Sequence, residues 1–270
     1  MLLRDYTNET IKGLFDLTGK TCVITGGGGG LGLATARGWA NYGADLVLTG
    51  RTQETLDKAA ETLKETGAKV LTIVADTLVE ADCQRVVDET VAAFGKIDVL
   101  FPAAGVARRF SAEEFPKDMF DLVIDTNVKG TWYIDQAVGR QMIKQHEQGM
   151  DPAGKIINIT SVRANNGLDL GYGAYACSKG AVLSMTRQLA VEWAKYNICV
   201  NAVGPTIVNS LLTKPIFDDP AKAKVFTDRI LFHRPMEAGE LIGSMIYFAS
   251  AASDFITGQI LYVDGGCVAA

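Results

Sequence analysis

Tyr175 and Lys179 stand four residues apart in the stretch Tyr175-Ala176-Cys177-Ser178-Lys179. On a helix that spacing puts both side chains on one face, one turn apart. A free phenol titrates near ~10 and is a poor base at neutral pH. A fixed ammonium close by favours the phenolate and draws it toward the working range, which makes the pair a candidate acid/base couple. Alone the pair says little, because Tyr-x-x-x-Lys arises by chance on surface helices. Its company says more. A glycine-rich turn, Thr25-Gly26-Gly27-Gly28-Gly29-Gly30-Leu31-Gly32, lies far upstream, and a β-rich run ending in Asn158-Ile159-Thr160-Ser161 lies just before it.

Such residues need a scaffold, and the chain supplies an alternating one. Runs at 21–25, 45–49, 70–74 and 99–101 read as four strands, and 155–159, 199–203 and 260–263 as three more. Mostly apolar strands separated by helices indicate a parallel sheet covered on both faces. An amphipathic helix is expected over 33–42, and Thr77-x-x-Glu80 and Ser111-x-x-Glu114 have capping-box spacing for two more helix starts. No repeat, low-complexity segment or proline-rich linker interrupts the pattern. One doubly wound α/β domain over residues 1–270 is the simplest reading, with 1–18 as a surface extension.

Composition excludes several classes. Of 270 residues 48% are hydrophobic and 21% charged, as in an ordinary soluble domain. A net charge of −5 offers no basic field to nucleic acid or anionic lipid. No long uncharged apolar span suggests a membrane helix, and Arg4, Asp5, Glu9 and Lys12 do not fit a signal peptide. The five cysteines include no C-x-x-C pair, which fits a reducing cytoplasm. The two histidines, His146 and His233, lack ligand spacing, so no metal site is expected.

The glycine turn follows a strand and precedes a helix. Gly26, Gly28, Gly29, Gly30, Leu31 and Gly32 would let backbone N–H groups approach a pyrophosphate at the positive end of that helix. In this context the turn reads as a dinucleotide site. An NAD site usually places a carboxylate after the second strand, for the ribose 2′-hydroxyl. Here Thr49-Gly50-Arg51-Thr52 has one guanidinium and no acid. Arg51 could fork onto a 2′-phosphate, which favours NADP(H) with NAD(H) as the alternative, or it could merely start a solvated helix. Asp76 could accept from an adenine amino group or shape a turn.

Taken in order, these residues resemble the short-chain dehydrogenase/reductase family across 16–266. The matching positions are Thr25-Gly26-x-x-x-Gly30-x-Gly32, Asp76, Ala104-Gly105, Asn127, Ser161, Tyr175-x-x-x-Lys179, Asn201, Pro205 and Val263-Asp264-Gly265-Gly266. The resemblance implies a Rossmann-like seven-stranded parallel sheet, a bound NAD(P), and a homotetramer or dimer. It implies that Tyr175 is the general acid/base, that Lys179 lowers its pKa and holds the nicotinamide ribose, that Ser161 holds the reacting oxygen, and that Asn127 anchors a relay water. Cofactor contacts are implied at Thr77, Ala104, Gly105, Pro205, Thr206 and Val208 as well. Blander roles remain for some: Ser161 could cap a helix, Asn127 could be a satisfied core amide, and Lys179 a solvated charge.

Three positions depart from the family pattern. Pro102-Ala103-Ala104-Gly105 replaces Asn-Asn-Ala-Gly, Pro205-Thr206 replaces Pro-Gly, and the loop 162–174 is about one residue longer than usual. Resemblance connects the Pro-Thr form to sugar and polyol enzymes. The expected substrate pocket lies between the 162–174 loop with Arg163, Asn165, Asn166 and Asp169, the 106–110 loop with Arg108 and Arg109, and a helical lid at 207–232. Amides and guanidiniums suit a polyhydroxylated or anionic small molecule. Arg163 could clamp an anion or support its loop. The leading expectation is an NADP(H)-preferring enzyme that interconverts a secondary alcohol and a ketone on a sugar, polyol or sugar acid. A 3-oxoacyl-thioester reductase and a non-catalytic nucleotide-binding regulator are the alternatives.

Overall fold

The computed structural model describes residues 7–150, 152–210 and 213–269. It opens with a short exposed helix, α1 (Asn8–Lys12), which buries nothing. Leu17 is the first fully buried side chain, and its N–H donates to Tyr42 O. The chain then alternates through β1 (Thr21–Thr25), α2 (Gly30–Asn41), β2 (Asp45–Gly50), α3 (Gln53–Leu63), β3 (Val70–Val74), α4 (Glu80–Phe94) and β4 (Val99–Pro102). The second half runs through α5 (Lys117–Ile124), α6 (Gly130–Glu147), β5 (Gly154–Ile159), α7 (Gly173–Trp193), β6 (Ile198–Pro205), β7 (Val208–Asn209), α8 (Lys214–Phe217), α9 (Pro220–Thr227), β8 (Met236–Glu237), α10 (Ile242–Ala249) and β9 (Ile260–Val263). All seven expected runs enter one parallel sheet of order β3-β2-β1-β4-β5-β6-β9, while β7 and β8 form a separate parallel bridge.

Period-two alternation sends neighbouring residues of each strand into opposite layers. Leu46 and Leu48 join Trp39, Phe101 and Met245 under α2, α3 and α10. Val47 joins Val23, Leu100, Ile134, Ile156 and Leu189 under α4, α6 and α7. With both faces covered, the strands can be apolar throughout, as β1 is. Trp39 is wholly buried, and its indole N–H donates to Met245 O at 3.0 Å, which locks α2 to α10. A buried side chain of that size contributes about 3 kcal/mol in transfer alone.

Two helix starts differ from expectation. α4 begins at Glu80 with Val79 at its N-cap and no side-chain cap, so Thr77 is not the capping residue. Asp76 intervenes: its carboxylate accepts from Leu78 N, and Asp82 accepts from Asp76 N, both at 2.9 Å. Ser111 likewise leads only into a 3₁₀ turn without a side-chain cap, and α5 starts later, after Pro116. In the 207–232 segment, α8 and α9 bury Ile216 and Phe226 but leave Val225 and Phe232 exposed. Leu211 and Leu212 lie outside the described residues, as do Arg4 and Asp5.

One side chain in the α6 layer is out of keeping with its surroundings. Asp135 is fully buried, and neither of its carboxylate oxygens has a hydrogen-bond partner; the same is true of Asn158 Oδ1. Burial pushes the Asp135 carboxyl up to about 8, against a smaller opposing effect of the Asn158 amide. The folded chain therefore holds a proton there that the unfolded chain, with its ordinary carboxylate value, gives up. Stability contributed by that difference is complete at acid pH and is lost as pH rises toward 8. Asp135→Asn should remove this slope. Urea unfolding from pH 4 to 8 should show the variant gaining on the wild type by up to about 1.4 kcal/mol per pH unit. Parallel stability curves would show that Asp135 is ionised in the fold.

Candidate active site

The strand order reverses between β1 and β4, so the chain segments leaving their carboxyl ends diverge and open a crevice. The glycine turn fills one side of it. Gly26 has φ +65°, and a Cβ there would lie 3.0 Å from Ala104 N and 3.1 Å from Ala104 Cα. A Cβ on Gly32 would lie 3.0 Å from the Gly26 carbonyl carbon and closer still to its oxygen. The two backbones touch only because neither residue carries a side chain. Gly29 and Gly30, by contrast, face open space, with nothing within 4 Å of a Cβ, and α2 starts directly from them. This leaves a bare helix N-terminus over a side-chain-free cradle, which fits a pyrophosphate. Ala104 N donates to Thr25 Oγ1 at 3.1 Å and fixes the opposite wall.

Pro102 accounts for a local difference in the sheet. β4 pairs with β5 only at Val99 and Leu100, so the strands separate before Phe101 and Pro102. Proline has no N–H to continue the ladder. Arg51 follows β2 at the crevice rim, exposed and without a hydrogen bond or ion pair among the described residues. Asp76 is half-buried and serves its turn, and Thr77 packs on Gly130, where a Cβ would meet Thr77 Oγ1 at 2.7 Å. At the far end Pro205 closes β6, and Val208 in β7 faces Met236.

Tyr175, Lys179, Ser161 and Asn127 converge on this edge. α7 carries Tyr175 and Lys179 on one face, with the Lys179 ammonium 5.7 Å from the Tyr175 ring centre. Lys179 is buried and donates to Ile159 O at 2.8 Å, which leaves two further N–H donors. Ser161 accepts from Arg163 N at 3.1 Å and so does cap the short turn that follows it. It also acts on the Tyr175 phenol, favouring its ionised form.

Asn127 sits in a π-helical turn, Asp125–Lys129, that breaks the path from α5 to α6. Its amide accepts from Val106 N at 2.8 Å and donates to Val106 O at 2.9 Å and to Ser178 Oγ at 3.0 Å. Both amide donors are spent, so a relay water would have to use the main-chain carbonyl, which already accepts from Thr131 Oγ1.

The electrostatics differ from expectation. Burial raises the Tyr175 phenol above its ordinary value; the Ser161 hydrogen bond and the Arg163 charge pull it down, and Tyr172 pushes it up. Lys179 is not among these influences, and burial lowers its own value to about 8. The expected depression of Tyr175 by Lys179 is therefore not met here. Desolvation disfavours both charged forms and drives the two groups apart, the phenol upward and the ammonium downward.

Two loops border the mouth. The 106–110 and 162–174 loops are joined by Phe110 N to Gly171 O at 3.2 Å. Arg109 lies over the Tyr172 ring at 5.8 Å, and Tyr172 packs edge-on to Tyr175 at 5.9 Å. Arg108 donates to Ala107 O and is exposed, as Asp169 is. Asn165 donates to Asn166 Oδ1, and Asn166 reaches Cys267 O at 3.2 Å. Arg163 is half-buried at the mouth. Sequence reasoning missed Ser178, Tyr172 and Arg229. Ser178 was within reach, since it adjoins Lys179 on the same helix, but Arg229 carried no local signal.

A family model for enoyl-(acyl carrier protein) reductase matches residues 26–268. Gluconate 5-dehydrogenase of Gluconobacter oxydans (strain 621H) is 35% identical over 260 residues, covering 94% of this chain and 96% of the relative. The structure of a gluconate 5-dehydrogenase from Burkholderia cenocepacia J2315 in complex with NADP and tartrate superposes with TM-score 0.88 at 35% identity, covering 95% and 98% of the two chains. That of a short-chain type dehydrogenase/reductase from Mycobacterium marinum gives TM-score 0.90 at 31% identity, covering 96% of this chain and 100% of the other. These matches take in the cradle, the Tyr175 helix and the last strand together, and the chain belongs to the short-chain dehydrogenase/reductase family.

Proposed function

We propose that the protein interconverts a secondary hydroxyl and a ketone on a sugar acid, with NADP(H) preferred over NAD(H). The observation that carries this reading is the convergence of Tyr175 with buried Ser161 and Lys179, the Lys179 ammonium 5.7 Å from the Tyr175 ring centre, beside a side-chain-free nucleotide cradle. The gluconate 5-dehydrogenase relatives support the substrate class. When bound, the nicotinamide cofactor supplies or accepts the hydride.

The chain's own residues do the rest. In the reducing direction Tyr175 Oη gives its proton to the carbonyl oxygen while Ser161 Oγ donates to that same oxygen, stabilising the charge that develops. Burial keeps the phenol protonated for this step. Lys179 has two N–H donors left for the nicotinamide ribose, and Asn127 sets the register of α7 and offers its main-chain carbonyl to a relay water. Gly26, Gly28, Gly29, Gly30, Leu31 and Gly32 would cradle the pyrophosphate. Asp76 and Thr77 with Ala104 and Gly105 would flank the adenosine, and Pro205, Thr206 and Val208 the nicotinamide. Free Arg51 is placed to take the 2′-phosphate.

We further read the chain as one domain, with 1–18 as a surface extension and 207–232 as a lid. Exposed Trp132 on α6 and Val191 on α7 support a homotetramer or dimer built on those helices. Five free cysteines fit the cytoplasm. No helix among the described residues is long and apolar enough to cross a membrane.

The family model's description keeps a thioester reductase as the second reading. NADPH oxidation with 5-keto-D-gluconate, neutral ketoses and an acetoacetyl thioester separates the two. Turnover of the keto-acid is expected, and turnover of the thioester alone would overturn the reading. Tyr175→Phe should lower kcat by about 10²–10⁴-fold with NADPH binding retained, whereas undiminished turnover would remove Tyr175 from the chemistry. Arg51→Glu should cut the NADPH-to-NADH ratio of kcat/KM by about tenfold or more, the scale of one charge-assisted contact, and an unchanged ratio would discard Arg51 as the selector.

A further inference from the structure

Arg163 and Arg229 reach the same oxygen from two separate elements. Arg163, in the turn after β5, donates from Nη1 to Gly167 O at 3.2 Å and to Asn166 O at 3.4 Å. Arg229, just past α9 in the lid segment, donates from its own Nη1 to Gly167 O at 3.3 Å. These are long contacts to a neutral acceptor, well short of what a guanidinium makes with an anion. Neither arginine is ion-paired to a carboxylate among the described residues. The other groups on Arg163 are the Cys267 thiol at 3.9 Å and the neighbouring Tyr172. Two like charges held around one carbonyl, one of them half-buried, repel each other until an anion enters between them.

We propose that Arg163 and Arg229 form an anion clamp for the substrate's carboxylate. The proposal rests on the sugar-acid reading above and names the side chains that select the acid. Arg163 lies close enough to Tyr175 for its charge to act on the phenol, so an acid held there presents its far hydroxyl-bearing carbon toward Tyr175 and Ser161. Because Arg229 lies just past α9 and already touches the 162–174 loop through Gly167 O, a carboxylate bridging the pair would hold the two segments together. A neutral sugar gives the lid no such tether.

Arg229→Gln is the decisive variant, since the side chain is exposed and its removal costs the fold one long hydrogen bond. With NADPH saturating, KM for 5-keto-D-gluconate should rise about 10–100-fold while kcat stays within about threefold and KM for NADPH does not move. Arg229→Lys should restore most of the loss, and selectivity for the keto-acid over D-fructose should fall in parallel. An unchanged KM for the keto-acid in Arg229→Gln would overturn the clamp. If the wild type reduces no sugar acid, the functional reading itself fails, and calorimetry of D-gluconate with the NADP⁺-loaded protein decides the clamp alone. Binding that is lost in Arg229→Gln would uphold it; equal binding, or none by the wild type, would overturn it.

Discussion

The Asn127 side chain is the joint on which the site depends. It takes an N–H and a carbonyl from Val106 in the loop after β4 and a hydroxyl from Ser178 on α7, while its own backbone lies in the turn between α5 and α6. Three segments distant in sequence are thereby set in register by one buried amide. It is wholly inaccessible, so every bond it loses leaves a partner unsatisfied away from water, at about 1–3 kcal/mol each. Gly105 is tied to the same point, since a Cβ there would lie 3.1 Å from Asn127 Oδ1 and 3.9 Å from Lys179 Nζ. The π-helical turn is the geometric consequence, because a regular helix would carry Asn127 round to another face.

That joint sets the electrostatics. By holding α7 against the loop after β4, it keeps Lys179 and Tyr175 desolvated. Desolvation raises an acid that ionises to an anion and lowers a cationic one, so a phenol and an ammonium that differ little in water change places in ease of ionisation. A neutral phenol suits proton donation. The reverse direction needs a phenolate, and for that the site must receive positive charge or hydrogen bonds. Ser161 and Arg163 already supply some of each, which links the residue at the pocket mouth to the acid/base group.

How much of this was legible in the sequence follows from which interactions are local. The strands were, because apolar runs between helical patterns have one stable arrangement, and their ends moved little apart from β6, which continues to Pro205. The cradle and the Tyr175–Lys179 face were legible for the same reason, each lying within one turn of chain. Capping was not. Thr77 and Ser111 have the right spacing, yet at the first site the Asp76 carbonyl takes Val79 N while its carboxylate takes Leu78 N, and Pro116 delays the helix at the second. The contacts of Asn127 with Val106 and Ser178 and Arg229's approach to Gly167 join residues far apart in sequence, and no periodicity encodes them. The apolar residues of 207–232 divide between core and surface, which composition alone could not apportion.

The distribution of charge gives these local features a direction. The chain is acidic overall, at −5, yet Arg51, Arg108, Arg109, Arg163 and Arg229 all follow carboxyl ends of the parallel strands. Two acids at that edge are engaged with backbone, Asp76 accepting from Leu78 N and Asp264 from Gly266 N and Val268 N, while Asp169 is exposed. The guanidiniums are less committed: Arg51 has no partner among the described residues, Arg229 reaches Gly167 O, and Arg163 reaches two carbonyl oxygens and, at 3.9 Å, the Cys267 thiol. Guanidiniums gathered at one edge bias the local potential there toward positive despite the sign of the whole molecule. Parallel topology reinforces this, since helices that follow strands point their positive N-termini at the same edge, as α2 does from Gly30. On the proposed reading, a dinucleotide and an anionic substrate share one crevice without repelling each other, their charges met by the cradle and Arg51 at one end and by the arginines of the mouth at the other.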